Sequence, residues 1–339
     1  MFLLYRVFVS ACLICIAGLS HAAVFSDEYN EPIKLLDRPM KHLDMEFPSS
    51  YRMLGESFEY SKYKNKTLDL YGLDKLNISG SAQFSVPQLE NVMLDVVKHN
   101  PKIKKLIVLD LRQESHGFIE GKPFRFHMPR NEINAKVDPE SILERERKLL
   151  DELINDKSNK QVHIRYSNRI DSGEKFSLNH YISFQTNDIK SESEVVDALC
   201  SKIGGHTGVD IVYERFYVLD HSRPSDADIE RFVDMFESIG ETVWVHIHCA
   251  AGKGRTTTFM ALADMLENAP EVAFEDILMR QHLLGGSDLF DVTRYGREDW
   301  RAPLAKERVA TLEKFYNFMT LKEGVKSGTP WSEFAADHK

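Results

Sequence analysis

The chain predicts an α/β fold with a mostly parallel central sheet flanked by helices. Helix-like segments at 85–99, 139–156, 191–203, 225–239 and 303–322 alternate with strand-like segments near 106–109, 212–219 and 243–247, as successive βα units do. The run 242–248 is short, β-branched and aromatic, the profile of a buried strand. No proline-rich or low-complexity linker divides the 339 residues and nothing repeats within them, although the length exceeds that of a typical domain.

The elements follow in order. Residues 53–81 are rich in strand and turn formers. Residues 162–166 and 176–186 read as short strands with no helix between them. The helix over 191–203 carries the apolar stripe Val195, Val196, Leu199, Cys200 and Ile203 and is expected to end at Gly204-Gly205. Ser225 followed by Asp226, Asp228 and Glu230 marks a capped helix start, where acidic side chains favour the helix dipole. Downstream of the 243–247 strand, residues 258–266 begin another helix.

The first residues, 1–6, precede an apolar run at 7–19 and then Ser20-His21-Ala22, the pattern of a cleaved secretory leader over 1–22. A membrane anchor is the competing reading, but a span wants about 20 apolar residues. Val9-Ser10-Ala11-Cys12 resembles an acylation box, yet the apolar run continues past Cys12. The expected organisation is leader 1–22, extension 23–50, core 51–325 and tail 326–339, with export to the periplasm or beyond. Of four cysteines, Cys12 and Cys15 would leave with the leader, so Cys200 and Cys249 do not make a disulfide scaffold.

Forty-three Lys and Arg against 52 Asp and Glu give a formal charge of -9. That balance argues against nucleic acid, whose phosphate backbone needs a broad basic face. It does not argue against a small anionic ligand, because a focused basic pocket decides the local field.

The chemistry concentrates at His248-Cys249-Ala250-Ala251-Gly252-Lys253-Gly254-Arg255-Thr256. A loop from a strand's carboxyl end into a helix amino terminus aims backbone N–H groups and the positive helix end at one point. Gly252 and Gly254 allow close backbone approach. A thiol there, beside a guanidinium, ionises readily, so Cys249 is the expected nucleophile. Arg255 offers a planar fork for two phosphoryl oxygens, and Thr256 is placed to donate its hydroxyl to the sulfur. A metal site from His246, His248 and Cys249 is disfavoured, because adjacent strand residues face opposite ways. His248 then supports the loop, and His246 reads as a satisfied core histidine.

The Cys-x5-Arg-Thr loop resembles the signature of the cysteine-dependent protein tyrosine phosphatase superfamily. Together with the strings at 110–117, Leu219-Asp220-His221 with Pro224, and 280–286, it resembles the bacterial protein-tyrosine-phosphatase-like phytases over roughly residues 52–318. The resemblance implies a protein tyrosine phosphatase-like core plus a small partial β-barrel, placed here near 51–81 and 158–190. It implies stepwise removal of phosphate from myo-inositol polyphosphates through phosphocysteine, with no cofactor and no metal. Asp220 matches the general acid; Asp226 and Asp228 are its rivals, explained by the helix cap. Ala250, Ala251, Gly252, Lys253 and Gly254 would bind the reacting phosphate, with Lys253 adding a cation suited to a polyanion or standing as a solvated rim lysine. Arg52 and His221 would hold phosphates that are not being cleaved, and the basic stretch from Arg294 to Arg301 either joins them or is plain surface. Gln281 either orients the attacking water or is a buried helix glutamine. Arg112 and Glu114 are read as a pair organising the pocket floor. The expected partner is an inositol polyphosphate, with no nucleic acid and no membrane insertion once the leader is cleaved; oligomeric state is not readable. A phosphoprotein or phosphoinositide phosphatase keeps the same chemistry on another substrate, and a non-catalytic phosphate-binding module keeps only the cradle.

Overall fold

The computed structural model describes residues 32–54, 67–156, 161–166, 180–296, 298–321 and 328–337. The expected leader, Cys12 and Cys15, residues 176–179 of one expected strand, and Arg297 lie outside the described residues. The strands are β1 (Ile33–Leu36), β2 (Arg52–Met53), β3 (Ile78–Ala82), β4 (Lys105–Arg112), β5 (His116–Ile119), β6 (Lys122–His127), β7 (Gln161–Tyr166), β8 (His180–Gln185), β9 (Ile189–Lys190), β10 (Asp210–Val218) and β11 (Val243–Cys249). The helices are α1 (Met40–Leu43), α2 (Val86–His99), α3 (Pro139–Asn155), α4 (Glu192–Leu199), α5 (Gly205–Thr207), α6 (Asp226–Ser238), α7 (Gly254–Asn268), α8 (Phe274–Leu283), α9 (Arg301–Thr320) and α10 (Trp331–Asp337).

The central sheet runs β10-β4-β11-β3-β2. Its first three pairings are parallel and only the edge strand β2 runs antiparallel, as the alternation of helices and strands predicts. One face packs on α2 and α4 through Leu89, Val92, Val196 and Trp244. The other packs on α6 to α10 through Phe232, Phe259, Ile277, Phe315 and Trp331. Because the parallel strands share a direction, the chain leaves β4, β10 and β11 at one edge, where α/β proteins gather their chemistry.

A second sheet runs β8-β7-β1-β6-β5-β9, antiparallel except where β1 meets β7. Leu36, Phe124, Phe126 and Ile164 pack with Leu150 of α3 to form its own apolar core. Of the segments expected to form a partial β-barrel, the described strands of 161–190 lie in this sheet, whereas those from the described part of 51–81 do not. Both β2 and β3 belong to the central sheet, and β1, β5 and β6 take the places expected for them. The reason is packing. β3 reads Ile-Ser-Gly-Ser-Ala rather than as a Val/Ile run, because a Cβ on Gly80 would meet Met260 Sδ at 2.5 Å and Thr256 Cγ2 at 2.8 Å. Small residues there let α7 lie directly on the sheet.

The helix expected to stop at Gly204-Gly205 continues instead. A π-helical turn over Cys200–Gly204 joins α4 to α5, and the chain turns at Gly208, whose φ is 72°. Gly204 is required for contact: a Cβ would lie 2.8 Å from the Val209 carbonyl oxygen.

Candidate active site

Cys249 ends β11 and is 2% exposed. Residues 250–253 turn the chain, and α7 starts at Gly254, so the loop does run from strand to helix amino terminus. The turn is held from below. Gln83 N–H donates to the Ala250 carbonyl at 3.3 Å. Gly252 has φ 66°, and a Cβ there would sit 2.3 Å from Ala82 N; only glycine fits against the end of β3. Thr256 Oγ1 donates to Cys249 Sγ at 3.1 Å, the contact its position predicts. Arg255, Arg52 and Arg38 all lie within electrostatic reach of the Cys249 sulfur.

Arg255, 2% exposed, organises the centre. Its Nη1 and Nη2 donate to Glu114 Oε2 and Oε1 at 2.7 and 2.8 Å, and Nη1 also reaches the Val218 carbonyl at 3.0 Å. Its Nη2 stands 3.2 Å from Asp220 Oδ1. The Nε hydrogen is buried and finds no partner among the described residues. A planar guanidinium with one edge saturated and a donor left on another is arranged for an anion.

Behind Glu114 runs a chain of buried ion pairs. Arg112 Nε donates to Glu114 Oε1 at 3.0 Å and Nη1 to Gln83 Oε1 at 2.7 Å and Asp37 Oδ2 at 2.9 Å; Arg125 completes Asp37 at 2.6 Å. Burial alone would raise the Glu114 carboxyl, but Arg255 and Arg112 hold it well below the usual carboxylate range. The expected Arg112–Glu114 pairing is therefore present, and its larger consequence is to orient Arg255.

Asp220 follows β10, as read from sequence, with about 26% of its side chain exposed. Its Oδ2 accepts from Asn131 Nδ2 at 3.2 Å and its Oδ1 from the His221 N–H at 3.0 Å. Burial pushes its carboxyl up, yet Arg255 keeps it below its ordinary value. The rivals are accounted for: Asp228 exchanges hydrogen bonds with Ser225 at 3.0 and 3.1 Å, and Asp226 pairs with Arg223 at 3.1 Å.

The other expected residues divide. His221 stands on the rim, its Nε2 3.7 Å from Asp220 Oδ2 and its ring edge-on to Trp300. Lys253 is exposed and donates to the Gly285 carbonyl at 2.6 Å. Arg52 is not a rim cation: it is 4% exposed beneath the loop, donating to the Ser50 and Gly252 carbonyls at 2.8 and 3.0 Å. Burial lowers its pKa to about 10. It braces the loop because the short strand β2 is the edge strand of the central sheet, paired with β3. Gln281 is a buried helix glutamine whose Nε2 donates to Asp264 at 2.8 Å. Of the basic stretch, Arg301 is paired with Asp299 and stacks on Tyr295, as does Arg294.

His246 is satisfied in the core by Ser79 at 2.8 Å and Ser81 at 3.1 Å. His248 Nε2 lies 2.9 Å from Glu192 Oε1. Asp110, His116 and Glu192 come close enough together to suggest a metal site. Their oxygens are instead taken by Tyr213 at 2.9 Å, Arg215 at 3.2 Å and Gln83 at 2.9 Å. Against burial and neighbouring arginines, Asp110 and Glu146 raise His116 to about 10, so the cluster is an ion-pair network.

Sequence reasoning passed over Asn131, Arg38 and Arg308. Asn131 holds φ 63° in a turn leading from the second sheet. Arg38 follows β1 with a buried Nε that has no partner among the described residues. Each is brought to the site by the second sheet or by α9, so no local pattern marks it.

The family model described as PTP-like phytase, inositol hexakisphosphate, matches residues 109–267. Effector protein hopD2 of Pseudomonas syringae pv. tomato is 28% identical over 249 residues, 73% of this chain and 49% of that protein. A solved PTP-like myo-inositol phosphatase from Mitsuokella multacida, in complex with myo-inositol-(1,3,4,5)-tetrakisphosphate, is similar with a TM-score of 0.75 and 27% identity, over 92% of this chain and 50% of that one. A solved PTP-like phytase from Bdellovibrio bacteriovorus shows a TM-score of 0.61 and 31% identity, over 92% of this chain and 98% of that one. The chain thus spans about half the length of the Pseudomonas and Mitsuokella proteins.

Proposed function

The chain belongs to the PTP-like phytase family, and from that premise we propose that it is a phosphomonoester hydrolase removing phosphates stepwise from myo-inositol polyphosphates through a phosphocysteine. The observation that carries the reading is the single constellation of Cys249, the Thr256 hydroxyl 3.1 Å from its sulfur, and Arg255 clamped by Glu114 with Nε unpartnered among the described residues.

In the first step the Cys249 thiolate attacks phosphorus in line; the S–P bond forms as the P–O bond to the inositol carbon breaks. Asp220 gives its proton to the leaving oxygen. The Asp220 carboxyl is ionised against Arg255 when nothing negative competes; a bound dianion draws on the same guanidinium, and its charge favours the protonated acid. Loop N–H groups and Arg255 stabilise the charge spreading over the transferring oxygens. In the second step water attacks phosphorus and passes a proton to Asp220. The S–P bond breaks, and the departing thiolate is received by the Thr256 hydroxyl.

Lys253, His221 and Arg38 ring the loop with cationic or polar groups that one reacting phosphate does not need, which supports a substrate with several. Export is part of the same reading, supported by the apolar run at 7–19 and by the effector name of the Pseudomonas relative.

The test is inorganic phosphate released from inositol hexakisphosphate, a phosphotyrosine peptide and a soluble phosphoinositide, by wild type and Cys249→Ser. The expected result is fastest release from inositol hexakisphosphate and none from the variant. A preference of about a hundredfold for either other substrate overturns the substrate; turnover retained by Cys249→Ser overturns the mechanism. A wild type that binds the hexakisphosphate without hydrolysing it leaves a binding module.

A further inference from the structure

A general acid is useful only while its proton points at the leaving oxygen, and the side-chain contacts of Asp220 with Asn131 and Arg255 hold that direction only if the turn that carries it is itself fixed. The next residue, His221, has φ 64°, a left-handed conformation that is uncommon for a residue with a Cβ and that a constraint from outside the turn helps to keep. That constraint comes from α9. Arg308, 4% exposed, donates through Nη2 to the His221 and Ser222 carbonyls at 2.5 and 3.0 Å. On its other side the guanidinium meets the nucleophile loop: a Cβ added to Gly254 would lie 3.0 Å from Arg308 Nη1. Among the described residues no carboxylate pairs with Arg308, and its buried Nε has no partner.

A buried cation without a counter-ion is costly, and burial accordingly lowers the Arg308 pKa. Ordinary packing does not call for such a residue, since Ala305 and Leu312 line the same helix face with apolar groups. The outer tie of the turn, Arg223 to Glu307 and Asp226, is partly exposed and so contributes little. Beside the 3.2 Å contact of Arg255 with the Asp220 carboxylate, the Arg308 link is a second buried tie between the two segments, and it holds the backbone of the acid turn.

We propose that Arg308 is the positioning residue of the general acid, its guanidinium wedged between the His221–Ser222 carbonyls and the Gly254 turn so that the acid turn and the nucleophile loop keep one spacing. This rests on the phosphatase reading above. Loss of Arg308 therefore damages the step that needs a proton, P–O cleavage to a poor leaving group, and spares cleavage that needs none.

The experiment compares Arg308→Met and Arg308→Lys with wild type on inositol hexakisphosphate, whose leaving group is an alkoxide, and on p-nitrophenyl phosphate, whose phenolate leaves unaided. Arg308→Met is expected to lower kcat about tenfold or more on the first and less than about threefold on the second, a fraction of what a general acid supplies. Arg308→Lys keeps the charge but not the two-sided fork and should fall between. In an Asp220→Asn background, Arg308→Met should add almost nothing, because both changes remove one function. Equal losses on the two substrates, or a full further loss in the Asp220→Asn background, overturn the proposal. Should Arg308→Met fail to fold by circular dichroism, the substrate ratio of Arg308→Lys decides: an unchanged ratio overturns it. A wild type that hydrolyses neither ester, or a Cys249→Ser variant that still hydrolyses p-nitrophenyl phosphate, instead brings down the phosphatase reading.

Discussion

Arg255 lies between two carboxylates that differ in almost every physical respect. Glu114 is buried, meets the guanidinium through two short bonds, and has a second arginine behind it. Asp220 touches it once at 3.2 Å, is about 26% exposed, and is otherwise held by Asn131 and the His221 backbone. The first arrangement cannot release its charge without weakening the pairing of two buried cations; the second can. On the proposed mechanism, a permanent anchor and a proton donor are thus built from the same chemical group by burial and partner count alone.

The largest way to break that contrast is Glu114→Gln. It leaves the buried Arg255 with only the 3.2 Å contact to Asp220 for a carboxylate and takes one of two carboxylates from Arg112, so a loss of about 3–5 kcal/mol is expected in urea unfolding, together with loss of turnover on every substrate. Stability within about 1 kcal/mol of wild type would show that Glu114 is no anchor. Asp220→Asn should do the reverse: kcat on inositol hexakisphosphate falls about 10²- to 10⁴-fold, while unfolding moves by less than about 1 kcal/mol. An unchanged rate would transfer the acid elsewhere.

Acid titration sharpens the same comparison with a smaller effect. The Glu114 carboxyl is depressed in the folded protein, so its stabilisation is complete above the unfolded value of about 4.3 and is lost as pH falls through the lower folded value. Glu114→Gln should therefore lose less stability on acidification than wild type, whereas Asp220→Asn should track wild type closely. Parallel curves for wild type and Glu114→Gln would contradict the role of Glu114.

What was legible in the sequence is what is local. Cys249 to Thr256 lie within one turn and a helix start, so spacing reveals their geometry, and Asp220 ends an apolar strand. The bond from Glu114 to Arg255 crosses 141 residues and depends on β4 running straight into β5 of the second sheet, whose pairing partners β6 and β9 leave only short patterns. The resemblance offered Arg52 as a holder of uncleaved phosphates, and a strand two residues long gives no local sign that its side chain is buried. β3 was hidden by the small residues that α7 requires of it. Arg308 is one helix arginine among several until α9 is set against the acid turn.

The central claim is that Cys249 carries the phosphoryl group between the two displacements. Enzyme quenched in acid within a turnover of inositol hexakisphosphate, digested and weighed by mass spectrometry, should yield the peptide containing Cys249 with one phosphoryl group on sulfur. Steady hydrolysis with that peptide never modified would contradict the account.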